Sequence, residues 1–293
     1  MSRLSNVHII TDSGAHFADP GVPERLGITV VPHVIQIGSQ QFREGVELSA
    51  EDFFRRLPHV SGAPSAQPPA ADEFRALYAA RIRRNEHILS IHTSSRMNST
   101  IARARQAADE FLGRGKIVVL DSMNTSLGLG ILVEAAAEAA ARGESLDELV
   151  RIVRGMLPHM YAVYFTDSLD YLERAARLSK SQSILGTMLG IKPFLTIEEG
   201  EIVPMEKVRA REKAIDKLVE FVSEFTSIER VAIMQSREQP TEDTRLLLER
   251  LEQTFPGQYF PVMMYGASLA CLIGPNSLGI VIYEGMGVKD RVR

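Results

Sequence analysis

The chain has one cysteine, Cys271, in 293 residues. That excludes an intramolecular disulfide and any metal site built on several thiolates. It also fits a reducing compartment. No segment approaches the ~18 consecutive apolar residues of a membrane-spanning helix, because Gly, Pro, Ser or a charge breaks every long apolar run. Near the start, the apolar stretch Val7 to Ile10 is interrupted by His8, too short for the core of a secretory signal. A cytoplasmic protein with no integral membrane segment is therefore expected. Basic charge is not in excess: 33 Lys and Arg against 37 Asp and Glu give a net −4. A nucleic-acid partner is not expected, since the whole chain supplies no basic field. No GxxxxGK[ST], GxGxxG or GxSxG motif occurs. The seven histidines show no HxxxH or other ligand spacing, so neither a metal nor a cofactor is expected.

What is present is an ordinary globular balance, 45% apolar and 24% charged. The length predicts about two domains. Short β-branched runs at 7–12, 87–91 and 116–120 alternate with helical stretches near 70–84, 98–112 and 125–143. That alternation predicts a parallel sheet flanked by helices. Pro32 inside the 28–38 strand region places that strand at an edge or a bulge. The proline-rich stretch 58–71 reads as a long loop. After residue 158 the pattern changes. Strands at 159–164 and 230–234, and a hairpin turning at Glu199-Gly200, predict a mixed or antiparallel sheet. The expected organisation is α/β, with an N-terminal domain over 1–158 and a C-terminal α/β domain over 159–293.

Three of the early strands lead into hydroxyl-rich loops: Asp12-Ser13-Gly14, His92 to Thr100, and Asp121 to Ser126. In parallel α/β sheets ligands gather at the carboxyl ends of the strands. Helix N-termini there offer free N–H groups and a positive dipole end, and Ser and Thr hydroxyls add donors. Such a set suits an anionic head group, carboxylate or phosphate. Each loop taken singly also reads as an ordinary helix N-cap. His92 beside Ser94 and Ser95 leaves a serine-dependent esterase, or another small acyl-substrate enzyme, as the competing reading. Asp12 and Asp121 read either as paired carboxylates or as caps. Lys207, Arg209, Arg211 and Lys213 read as a solvated face or as a docking surface for an acidic partner. Met188, Met205, Met263 and Met264 read as core filler.

Several segments, in this order, resemble the DegV family of bacterial fatty-acid-binding proteins. TDSGAHF at 11–17 resembles its opening TDS motif, and REGVELSAEDFF at 43–54 its DG-x-(D/E)-(I/L)-S segment. SAQPPAADEF at 65–74 is similar to TSQPS-x-x-x-F, and the segment from Thr93 to Ala108 to SS-x-L-SGT. DSMNTSLGLG at 121–130, YLERAARL at 171–178 and KVRAREKAI at 207–215 resemble three further family motifs. The resemblance spans residues 7 to 285. It implies two α/β domains with one long-chain fatty acid between them. It implies a non-enzymatic lipid-binding protein that presents the carboxylate to a separate ATP-dependent fatty acid kinase subunit, which makes an acyl phosphate. Carried over by position, the resemblance points to Ser65 and Ser95, with Ser94 adjacent, to Arg177, and to Leu272 at the place of the family's histidine; His92 and Ser126, from the strand-end loops, complete the expected ligand-binding set. No residue is assigned a catalytic role.

The sequence departs from the family at several of these points. Asn98-Ser99-Thr100 stands where the family has SGT, and Ala175-Ala176-Arg177-Leu178 where it has GGRI. Leu272 stands where the family's H-x-GPG histidine is expected. A charged donor there would stabilise a carboxylate by about 1.5–3 kcal/mol. His92 is the expected substitute. Burying roughly 15 methylenes at about 0.8 kcal/mol each would supply about 12 kcal/mol before ordering costs, so one lost donor need not abolish binding.

Overall fold

The computed structural model describes residues 6–60, 62–175 and 192–286. The chain opens with β1 (Val7–Asp12), the short α1 (Val22–Arg25) and β2 (Thr29–Val31). Then come β3 (Val34–Ile37), β4 (Gln40–Arg43), α2 (Ala50–Arg56), β5 (Ser65–Gln67) and α3 (Ala71–Ile82). β6 (His87–His92), α4 (Thr100–Asp109), β7 (Ile117–Asp121), α5 (Ser126–Ala141) and α6 (Leu146–Met156) complete the N-terminal half. A parallel sheet runs β2-β1-β6-β7. As Pro32 requires, β2 lies at its edge.

Pro32 also does more than was expected of it. The predicted 28–38 strand is broken there, and its second half leaves the parallel sheet. β3 instead pairs antiparallel with β4 and with β5. The proline-rich stretch read as a plain loop therefore contains a strand, and that strand carries Ser65.

The C-terminal half contains β8 (Met160–Phe165), α7 (Asp170–Arg174), β9 (Lys192–Glu198) and β10 (Glu201–Val208). It continues with α8 (Arg211–Ser223), β11 (Arg230–Gln235), α9 (Glu242–Thr254) and β12 (Val262–Met264). It ends with α10 (Ala267–Ile273) and β13 (Leu278–Tyr283). Its sheet is mixed, in the order β10-β9-β8-β13-β11-β12. Only the β11–β12 pair is parallel. The hairpin turns through Glu199 (φ 46°) and Gly200 (φ 80°), the pair of positive φ values that matches strand twist.

α5 ties the halves together. Every residue from Ser126 to Val133 is buried, and a helix apolar all round belongs inside. It packs against β1 and β6 of one sheet and β8 and β13 of the other. Gly130 allows the His16 backbone to press on this helix, since a Cβ there would lie 1.7 Å from the His16 carbonyl oxygen. α6 is different. Its Leu146, Leu149, Val153 and Met156 form one buried stripe, each worth about 1.5–3 kcal/mol of burial. Ser145 caps it by accepting the Glu148 amide hydrogen at 3.3 Å. Met205, expected in the core, is 55% exposed on β10, and Met188 lies outside the described residues.

Candidate functional site

The loops after β1 and β6 are held by one buried carboxylate. Asp12 Oδ1 accepts from the Gly14 amide at 2.9 Å and from Thr93 Oγ1 at 2.6 Å. Its Oδ2 accepts from the Thr93 amide at 2.9 Å and from His92 Nδ1 at 3.0 Å. The other His92 nitrogen meets Ser90 Oγ at 2.6 Å, and Tyr78 donates to that Ser90 at 2.8 Å. Donation from Tyr78 to Ser90 to His92 Nε2 satisfies every group in the chain. His92 is wholly buried with both nitrogens engaged, so it does not turn toward Leu272. Asp121 ties the loop after β7 to the same β6 loop, accepting from the Met123 amide at 3.0 Å and the Ser95 amide at 3.3 Å. The two aspartates anchor the β6 loop at different residues, Thr93 and Ser95, and share no hydrogen-bonding partner.

A second buried carboxylate lies beside the first. Glu44 Oε2 accepts from Ser13 Oγ at 2.7 Å and from Ser268 Oγ. Glu44 Oε1 accepts the Ser268 amide hydrogen at 2.8 Å. His33 stands between the acids: its Nε2 lies 3.4 Å from Asp12 and its Nδ1 3.7 Å from Glu44. Burial works against every charge here, but the mutual attraction outweighs it. The Asp12 carboxyl is held well below the usual range by His33 and then by bonds from His92 and Thr93. Glu44 is lowered by His33, Ser268 and Ser13. Against its own burial, His33 is raised by Asp12 and Glu44. Sequence reasoning missed this cluster because its members lie on five separate segments.

A cavity of about 430 Å³ opens beside the cluster, within the ordinary range for ligand pockets. β5 brings Ser65 to it, and the β6–α4 loop brings Thr93, Met97, Asn98 and Ser99. Thr125 stands at the start of α5, α7 supplies Tyr171 and Arg174, and α10 supplies Ser268, Cys271 and Leu272. The described lining contains one charged side chain, Arg174, and no carboxylate. Ser65, Ser99 and Arg174 are exposed at its mouth, whereas Thr93, Met97, Ser268 and Cys271 are buried along its wall. Burial pushes the Cys271 thiol up, which leaves it a small apolar group.

Of the residues expected at the ligand, Ser65 and Leu272 line this cavity. Ser94 does not: its hydroxyl is buried and donates to the Gly200 carbonyl at 2.6 Å. Ser95 is exposed, with its amide on Asp121, away from the lining. Ser126 is buried at φ 52°, and its backbone bridges to Gly14 and His16. Arg177 lies outside the described residues. Arg174 and Ser268 were not named by the sequence reading, and Thr93 was part of its hydroxyl-rich loop but not of the expected ligand-binding set. Arg174 had a signal, three positions before Arg177 in a helical stretch. Ser268 had only its place as the one hydroxyl in ASLACLI. Lys207, Arg209 and Lys213 are exposed, and Arg211 pairs with Asp243 at 2.5 Å.

A family model described as "Uncharacterised protein, DegV family" matches residues 6–285. The chain belongs to the DegV family. A DegV domain-containing protein of Caldanaerobacter subterraneus subsp. tengcongensis is 34% identical over 223 residues, 75% of this chain and 77% of that one. Among solved structures, a fatty-acid-binding DegV family protein from Thermus thermophilus superposes with a TM-score of 0.83 at 26% identity, covering 95% of this chain and 99% of that one. DegV of Bacillus subtilis, described as a fatty acid binding protein, gives 0.82 at 27% identity over 95% and 99%. These likenesses match the α/β architecture described above, a parallel sheet flanked by helices and a second, mixed sheet.

Proposed function

We propose that this DegV family chain binds a long-chain fatty acid in the 430 Å³ cavity and presents its carboxylate to a separate ATP-dependent fatty acid kinase. Residues 1–158 and 159–293 are the two domains that enclose the ligand. The reading rests on the cavity's charge balance. A single cation, Arg174, stands at a mouth that also carries the Ser65 and Ser99 hydroxyls, and no acid lines the described wall. Ser65 has replaced a threonine in the family motif without loss of its hydroxyl. Met97, Cys271 and Leu272 supply apolar surface for the chain, at about 0.8 kcal/mol per buried methylene. Relatives from Thermus thermophilus and Bacillus subtilis that bind fatty acids support it. An exposed carboxylate at the mouth is what a phosphoryl-transferring partner needs, and a cytoplasmic location would give access to ATP.

One observation favours an esterase at first sight: Ser268 Oγ lies 2.8 Å from His33 Nδ1. A general base must receive the serine's proton, and the Ser268 hydroxyl donates to Glu44 Oε2 instead of to His33. His92 and Ser95, the other candidate pair, bond to different partners. Native mass spectrometry of the purified chain tests the binding reading. Co-purified acyl chains are expected, and a protein that is empty and takes up no added fatty acid refutes it. Incubating the loaded chain with a fatty acid kinase and ATP tests the partner, with acyl phosphate as the expected product. A chromogenic acyl ester tests the competing reading: turnover that Ser268→Ala abolishes would establish it.

A further inference from the structure

The inner wall of the cavity differs from its mouth in the hydrogen bonds it has left to give. Ser268 lines the cavity and is 8% exposed. Its hydroxyl has one proton and two lone pairs. The proton goes to Glu44 Oε2, a carboxylate that has none to return. One lone pair accepts from His33 Nδ1 at 2.8 Å, because the serine's only proton is already given to Glu44 and the ring nitrogen must be the donor. A single lone pair remains. Thr93, also on this wall, commits its proton in the same way, to Asp12 Oδ1 at 2.6 Å.

The consequence is a selective wall. A ligand carboxylate pushed against Ser268 would meet a lone pair with the Glu44 carboxylate behind it and find no donor. A bare methylene chain would leave that lone pair unfilled in a dry place, which costs free energy. A ligand hydroxyl would donate to it and complete the serine. The mouth is complementary, with donors at Ser65, Ser99 and Arg174. We propose that the preferred ligand is a hydroxylated long-chain fatty acid. Its chain hydroxyl donates to Ser268 Oγ while its carboxylate stays at the Arg174 end. Glu44 and His33 act through Ser268 as positioning residues. This deepens the fatty-acid reading above and rests on it.

The test uses the full-length chain stripped of lipid. Calorimetry compares octadecanoic acid with a set of monohydroxy-octadecanoic acids whose hydroxyl is moved along the chain. One net hydrogen bond of about 0.5–1.5 kcal/mol corresponds to roughly 2- to 12-fold tighter binding for the best-placed isomer. Ser268→Ala should remove that advantage, so that no isomer then binds more tightly than plain octadecanoic acid to the same variant. Ser268→Thr should restore it. The inference is overturned if no isomer binds better than the plain acid, or if the advantage survives in Ser268→Ala. Should Ser268→Ala not fold, the isomer series on the unaltered chain still decides. Plain acid bound without preference sinks this inference alone. Failure of every acyl chain to bind sinks it together with the reading beneath it.

Discussion

Glu44 and Ser268 are joined twice across 224 residues of chain, the carboxylate accepting the serine's amide hydrogen at 2.8 Å and its hydroxyl hydrogen as well. The link runs from the end of the β3–β4 hairpin to the first turn of α10. It puts a buried charge at the seam between the two halves. Charges are buried only when their hydrogen bonds are nearly complete. Glu44→Ala would strand the Ser13 and Ser268 donors and leave His33 facing Asp12 alone. A loss of about 3–5 kcal/mol is expected, read as a lowered urea midpoint. A variant within about 1 kcal/mol of the unaltered chain would show that the cluster is not held as described.

The same cluster gives stability a definite dependence on pH. His33 is raised above its ordinary 6.5. Its contribution is fully present below 6.5 and fades as pH rises through the raised value. Asp12 and Glu44 are lowered from 3.8 and 4.5. Their contributions are fully present above those values and are lost as pH falls through the lowered ones. The cluster therefore stabilises most between 4.5 and 6.5. His8 opposes this on the acid side, lowered to about 4 by burial and then by Arg81 and Arg84. Comparing the chain with His33→Gln removes the His8 background from the result. The stability gap between the two should be largest near pH 6 and shrink as the solution becomes alkaline. A gap that widens with pH would reverse the charge assigned to His33.

The sequence displayed the sheet that positions the site more clearly than the site itself. Strands 7–12, 87–91 and 116–120 announce themselves because each is a short β-branched run closed by hydroxyl-bearing residues. Ser65 and Leu272 were visible through their motifs. β5 was hidden because three residues between prolines carry no periodicity. α10 was hidden because a seven-residue apolar run reads equally as strand or helix. With α10 unseen, Ser268 had no address. The loop serines misled for a related reason. Ser94 and Ser95 are adjacent, but successive residues in that turn point apart, one into the Gly200 carbonyl and the other to the surface.

Ser94 and Gly200 offer a test of how tightly the hairpin is pressed on that loop. A Cβ at Gly200 would come 2.3 Å from Ser94 Oγ and 3.2 Å from Met123 Cα, at φ +80°. Gly200→Ala pays the left-handed backbone cost of about 1–2 kcal/mol and adds the clash. Ser94→Ala alone removes two hydrogen bonds, the donation to Gly200 and the acceptance from the Arg96 amide at 3.2 Å, and is expected to cost about 1–3 kcal/mol. The double variant should recover part of the Gly200→Ala loss, since one clashing atom is gone while the backbone cost and Met123 remain. Urea melts of the four proteins give the coupling energy. Strict additivity would mean that the two residues do not touch.

Leu272 is half-buried in the cavity wall and packed on the core, on the same short helix as Ser268. Leu272→His places a titrating donor beside a mouth that already carries Arg174. With a fatty acid bound there, the carboxylate should raise that histidine's pKa, and its charge should strengthen binding most at acid pH. The gain expected near pH 6 is about tenfold or more, from a charged hydrogen bond of about 1.5–3 kcal/mol. It should decline as pH rises past the ordinary histidine value of about 6.5. The free protein should lose about 1 kcal/mol or more of stability, since a leucine contact is exchanged for a polar ring. Titrating octadecanoic acid into both proteins at several pH values measures the affinities, and urea melts of the two free proteins measure the stability loss. Equal affinity at all pH values would place the carboxylate out of reach of position 272.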